Sequence, residues 1–212
     1  MATYAALAFL EEQHGEAKRA ALFEDLEYQY LRNRRLNEEQ PLIKVDGTRI
    51  GDVSVMYQRA GIVLSMLERV LGRDVWRAEL ARLYSAYTGG RHPSAAAFIE
   101  RLASLSDRSA QFIDQYIYGS ALPDARIADA VVAPDGPNWS LLVEVENRGT
   151  GNLDTQLRVS GGEGEVLLLP VNILGMAQGA LRTRVPFRPT RLTIDPERQV
   201  ILRQRATTDY RF

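Results

Sequence analysis

The sequence predicts an α+β fold, with an N-terminal α-helical bundle of about six helices followed by a small β-sandwich-like domain. Three observations carry this expectation. Apolar residues recur three and four apart through the N-terminal part of the chain. After Pro123 the period shortens toward two, as half-buried strands require. Turn signals then recur at short intervals: Asp135-Gly136-Pro137, Asn147-Arg148-Gly149 and Gly161-Gly162. We therefore divide the chain into a helical region, 1–122, and a β-rich region, 123–212.

Tyr4, Leu7, Ala8 and Leu10 begin the first amphipathic helix, which pauses at His14-Gly15. A second helix is expected from about Glu16 to Leu36, with Leu22, Phe23, Leu26, Tyr30 and Leu31 on one face. Glu38 to Gly51 reads as a connector containing Pro41, Gly47 and Gly51, with Leu42-Ile43 and Val45 as a short extended piece. The third helix starts near Asp52, carries Met56, Ala60, Val63, Leu64, Leu67 and Leu71, and ends at Gly72. Asp74 is placed to cap a fourth helix bearing Val75, Trp76, Leu80, Leu83, Tyr84 and Tyr87, which stops at Gly89-Gly90. Pro93 and Ser94 open a fifth, with Phe98, Ile99, Leu102 and Leu105. Ser109 starts a sixth, with Phe112, Ile113, Tyr116 and Ile117, closed by Gly119.

In the second region Trp139, Leu141, Val143 and Val145 alternate with Ser140, Leu142, Glu144 and Glu146. Val166–Leu169, Leu192–Ile194 and Val200–Leu202 are further strand candidates.

Bulk composition narrows the function classes. Hydrophobic residues are 45% and charged residues 25%, which is enough apolar material for a real core. A net charge of −1 argues against nucleic acid as a partner. Lys18 and Lys44 are the sole lysines, and the arginine excess reads as compositional bias, not as a binding site. The absence of cysteine removes disulfides, thiolate metal sites and cysteine nucleophiles. No apolar run approaches the roughly 18 residues of a membrane span, so a soluble chain is expected. The apolar start, Met1 to Leu10, lacks the basic flank of a signal peptide.

Catalytic motifs are scarce. The two histidines are His14 and His92, and neither has a histidine four residues on, as a helical H-E-x-x-H zinc site needs. Both read as surface or capping residues. No serine sits in a G-x-S-x-G elbow, although counting alone leaves a Ser-His-Asp arrangement open. Gly161-Gly162-Glu163-Gly164 lacks the Lys-Ser/Thr of a phosphate loop and reads as a hairpin turn. Glu11-Glu12 and Glu38-Glu39 read as solvated pairs, and Trp76, Tyr84, Tyr87, Phe112 and Tyr116 as core.

Three segments nevertheless carry a resemblance to a known family. Tyr57-Gln58-Arg59-Ala60-Gly61-Ile62-Val63-Leu64-Ser65-Met66-Leu67 resembles the Y-x-K-G-a-x-V-x-x-M-L helix of the gluzincin zinc aminopeptidases, the family of membrane alanyl aminopeptidase and leukotriene A4 hydrolase. Phe98 with Leu102, then Gln111 to Tyr118 and Leu122-Pro123, resembles its D-F-x(3)-L … W-F-x-Q-W segment ending at G-x-P. Leu192 to Val200, with Asp195-Pro196, resembles its closing I-D-P strand pair. One bacterial subgroup, fused behind a transporter-like permease, shows Y-L-x-x-R … E-x-P-L ahead of the tyrosine helix. Tyr30-Leu31 with Arg34, and Glu39 with Pro41-Leu42, match that pattern.

The resemblance implies several things. Residues 1–122 would correspond to the C-terminal half of the peptidase catalytic domain. Ala2–Leu7 resembles the helix just after the family's third zinc ligand, so the zinc ligands would lie ahead of this chain. Tyr57 is the one catalytic candidate. In the family its counterpart donates a hydroxyl to the oxyanion formed when zinc-bound water attacks the peptide carbonyl. Arg59 stands where lysine is usual, and Ala60-Gly61 where glycine-alanine is usual. The expected roles are thus a zinc metallo-aminopeptidase fragment that is inactive alone, or a non-catalytic scaffold module of a transporter-associated degenerate peptidase. A chance match in an unrelated helical protein is the third possibility. Zinc belongs to the full-length parent, not to this chain. Expected partners are the upstream zinc-binding part, peptide substrate in the parent, and a second copy meeting exposed apolar surface on the first and third helices. The parent is expected to be membrane-associated in a bacterium.

Overall fold

The computed structural model describes residues 1–34, 39–87 and 94–212. The chain divides into two compact units, Met1–Ser120 and Ala121–Phe212. The first is helical, and the second consists of two antiparallel sheets.

In the helical unit α1 spans Ala2–His14 and α2 spans Glu16–Asn33. Gly15, at φ 81°, separates them in a conformation that a Cβ would strain. The second helix ends three residues short of the expected Leu36, because Arg34 turns to extended backbone. Leu36 and Glu38 lie outside the described residues. The connector forms a 3₁₀ turn at Leu42–Lys44 where an extended piece was expected.

The third helix enters through a wider π-type stretch, Ser54–Arg59, and continues as α3, Ala60–Leu71. Gly72, at φ 84°, precedes α4, Arg73–Ala86. Asp74 sits inside the first turn of α4 and caps nothing with its side chain. Its charge still favours the positive end of the helix dipole. Gly89-Gly90 and Pro93 lie outside the described residues.

Ser94 caps α5, Ala95–Ala103, by accepting from Ala97 N. The sixth helix, α6 (Asp107–Ile113), starts earlier than expected. Ser106 is its N-cap, and Ser109 answers from the third position in a reciprocal capping box. A second π-type stretch, Asp114–Tyr118, closes the unit.

The core of this unit gathers Leu7, Phe23, Ile62, Leu67, Trp76 and Leu102, all fully buried. Each contributes roughly 1.5–3 kcal/mol of transfer free energy. Trp76 donates its indole N–H to the Tyr4 hydroxyl at 2.6 Å, and its ring meets Phe98. Tyr84 departs from the expected core set: it is exposed, because α4 turns only its Trp76–Glu79 side inward.

The second unit contains β1 (Ala125–Asp135), β2 (Asn138–Asn147), β3 (Leu153–Ser160), β4 (Val166–Ile173), β5 (Ala177–Val185), β6 (Arg191–Ile194) and β7 (Asp209–Arg211). Their orders are β1-β2-β5 and β4-β3-β6-β7. Buried residues alternate along β2 (Leu141, Val143, Val145) and β3 (Leu153, Leu157, Val159), so each sheet has one apolar face. Gly136 and Pro137 turn the β1–β2 hairpin, with Gly136 at φ 62°. Gly161 to Glu165 turns the β3–β4 hairpin.

Val200, Ile201 and Leu202 are buried but irregular, so the third of the strand candidates is corrected. The cause is Asp195, at φ 53°. Its carboxylate accepts from Thr155 Oγ1 and Gln199 N at 2.7 Å each, from Val200 N and from Arg205. Those bonds tie the following backbone to one side chain in place of a strand ladder. Asn147 does the same at another turn, accepting from Asp124 N and Gly149 N while donating to the Gly151 and Leu174 carbonyls.

Candidate functional site

Tyr57 lies in the Ser54–Arg59 stretch. A π turn holds one residue more than an α turn, so it shifts the phase of the helix that follows. Here Ser54, Val55 and Arg59 are buried, and the turn brings Met56 and Tyr57 to the surface, with Tyr57 56% exposed. The buried stripe of the third helix is Val55, Ile62, Val63, Met66 and Leu67, not the expected one starting at Met56. The Tyr57 hydroxyl makes no hydrogen bond among the described residues.

Two neighbours of Tyr57 have clear packing roles. Gly61 lets α1 and α3 approach: a Cβ there would stand 2.6 Å from the Cβ and Cγ2 of Thr3. Arg59 is buried, with Nε 3.3 Å from Glu39 Oε1 and Nη2 donating to the Gly119 carbonyl at 3.2 Å. A lysine would offer one nitrogen in place of the planar fork whose Nε and Nη2 reach the two partners here.

Glu39 is the centre of a buried charge cluster and corrects its reading as solvated surface. Its side chain is 2% exposed. It accepts from the Tyr30 hydroxyl at 2.6 Å and from Arg34 Nε, and it pairs with Arg59. Arg34 Nη2 reaches the Ser120 carbonyl at 3.4 Å. Burial, aided by Glu39, pushes the Tyr30 hydroxyl well above the ordinary tyrosine range. Tyr30, Arg34 and Glu39 are the very residues of the Y-L-x-x-R … E-x-P-L pattern. The signal for this cluster was therefore present in the sequence, but composition rules alone put an acidic pair in solvent.

A cavity of about 470 Å³ opens beside the cluster. Tyr30, Arg34, Glu39, Arg49, Asp52 and Val55 are among its walls. Asp52 is buried and accepts from the backbone N–H groups of Gly47 and Arg49 at 3.1 Å each. Tyr57 is not part of that lining.

The described residues do not form a zinc site. His14 is exposed at the end of α1, edge-on to Phe9, and His92 lies outside the described residues. Among the described residues no three His, Cys, Asp or Glu side chains converge to hold a metal. No helix of the described residues is long and apolar enough to cross a membrane.

By sequence, the chain matches no family profile and no curated protein. By structure, it is similar to aminopeptidase A of Legionella pneumophila, solved in complex with aspartic acid, with a TM-score of 0.57 and 17% identity. The chain shares its fold with part of that protein. The match covers 94% of this chain and 22% of that protein, so the chain spans about a fifth of the neighbour's length.

Proposed function

We propose that this chain is the part of a zinc metallo-aminopeptidase that follows the metal-binding motif. In this reading it supplies the Tyr57 helix and the β-unit, while the metal ligands and the amino-terminus anchor come from the preceding part of the same parent. Peptide is the substrate of the parent. The observation that carries the reading is a fold likeness to an aminopeptidase across 94% of the chain, joined to the motif around Tyr57. The exposed, unengaged hydroxyl of Tyr57 supports a donor role toward a developing oxyanion.

A non-catalytic module of a transporter-associated degenerate peptidase is the second reading. The departures from the family at Arg59 and Ala60-Gly61 favour it. One pair of measurements separates the two. The purified chain should bind no stoichiometric zinc and cleave no aminoacyl anilide, and chelator-sensitive cleavage by the chain alone would refute its assigned incompleteness. The parent, read through from the coding sequence ahead of Met1, should cleave such a substrate and lose about 100-fold in kcat on Tyr57→Phe. An intact parent without activity would leave the scaffold reading.

A further inference from the structure

The cavity beside Glu39 has a chemical bias that neither the fold likeness nor the role of Tyr57 uses. Two arginines and two carboxylates line it, but they differ in what they have left to offer. Glu39 is engaged by Tyr30, Arg34 and Arg59, and Asp52 Oδ2 accepts from two backbone N–H groups. Arg34 is committed to Glu39 and to the Ser120 carbonyl. Arg49 is different. With its amide oriented so that both ends are satisfied, Gln40 accepts from Arg49 Nε at 2.7 Å and donates to the Lys44 carbonyl at 3.2 Å. Gln40 thus holds the inner nitrogen of Arg49, while the two outer nitrogens make no ion pair among the described residues. Asp46, the nearby carboxylate, is turned onto Thr48 N and Oγ1.

Arg49 thus presents to the cavity two guanidinium nitrogens that are held in place from behind. That is the geometry that takes a carboxylate in two parallel bonds. Val55 and the exposed Ile50 add an apolar wall. A volume of about 470 Å³ lies within the range of small-molecule sites, roughly 300–1,000 Å³. We propose that this cavity binds a small organic acid through one carboxylate on Arg49, with a short aliphatic group against Ile50 and Val55. Because Tyr57 does not line the cavity, the proposal stands or falls independently of the peptidase reading.

The test titrates the purified chain with N-acetyl-L-leucine and with its neutral analogue N-acetyl-L-leucinamide, followed by NMR shifts of the residues around Arg49. The acid should bind saturably and the amide should not. Arg49→Gln should weaken acid binding about tenfold or more. Arg49 is an exposed loop residue, so the melting temperature of the R49Q variant should match that of the unsubstituted chain. No saturable binding of the acid, equal binding of the amide, or an undiminished affinity in R49Q would each overturn the proposal.

Discussion

Glu39 and Glu12 are both glutamates next to another glutamate, yet they live in different surroundings. The Glu12 side chain is 58% exposed and meets Arg77 at 3.3 Å across solvent, where such a pair adds little. Glu39 is 2% exposed and faces two guanidiniums and a phenol. Removing its charge leaves Arg34 and Arg59 buried without an anion. Glu39→Gln should therefore lower the stability of the helical unit by about 3 kcal/mol, read as a fall in urea midpoint, while Glu12→Gln changes it by less than about 0.5 kcal/mol.

Tyr4 makes a second prediction at this scale. Burial, then the Glu68 carboxylate, pushes its hydroxyl up to about 12 from the ordinary 10.0. The folded chain thus holds this proton more tightly than the unfolded chain does. The stability so gained is complete below pH 10 and is lost as the pH climbs toward 12. Tyr30 shifts in the same direction. The urea midpoint should fall across that window, and Tyr4→Phe should make the fall shallower. A midpoint flat from pH 10 to 12 would contradict this.

Among the elements, the pairing of α1 with α3 turns on Gly61 and Thr3. The Thr3 Cβ is fixed to backbone and cannot swing aside from an added methyl at 2.6 Å. Gly61→Ala should push the two helices apart and cost about 1–3 kcal/mol, measured by thermal melting. Melting unchanged within error would show that the helices slide freely.

Helix positions were legible because their apolar spacing is strong, as Leu22 to Leu31 and Phe112 to Ile117 illustrate. Helix starts were less so. Ser106 and Ser109 are both good caps, and the choice between them rests on a reciprocal bond that spacing does not reveal. The π turn at Ser54–Arg59 has no composition signature, and the buried face around Tyr57 starts at Val55 in place of Met56. Strands β1, β3 and β5 are hard to read from the sequence for a related reason. Residues such as Gln156, Arg158, Arg182 and Arg184 interrupt the apolar runs on faces turned away from the core. Val200–Leu202 looked like a strand because it is buried, and burial alone does not make a ladder.

For the molecule as a whole, the surface pattern bears on association. Met1, just before α1, and Phe9 on it are exposed, and so are Ile50, Val53, Met56 and Tyr57 at the entry to the third helix. Apolar surface of this kind on the first and third helices favours self-association in a chain standing alone. Elution volume should depend on concentration, and Phe9→Glu should shift the chain toward monomer. An elution volume that stays constant over a hundredfold dilution would argue otherwise. The α+β class was legible from the change of period at Pro123. The candidate site was legible only as a pattern of letters, because the closeness of Tyr30, Arg34 and Glu39 depends on a connector that no periodicity describes.

The bonds from Arg59 to Gly119 and from Arg34 to Ser120 span 60 and 86 residues of sequence. They have a consequence for synthesis on the ribosome. Until the last turn of the helical unit has cleared the exit tunnel, these two guanidiniums lack the carbonyls that complete their partners. The earlier helices can form as they emerge, but the unit locks only at its end. Nascent chains stalled before residue 119 should be open to protease, and chains stalled well beyond it should resist.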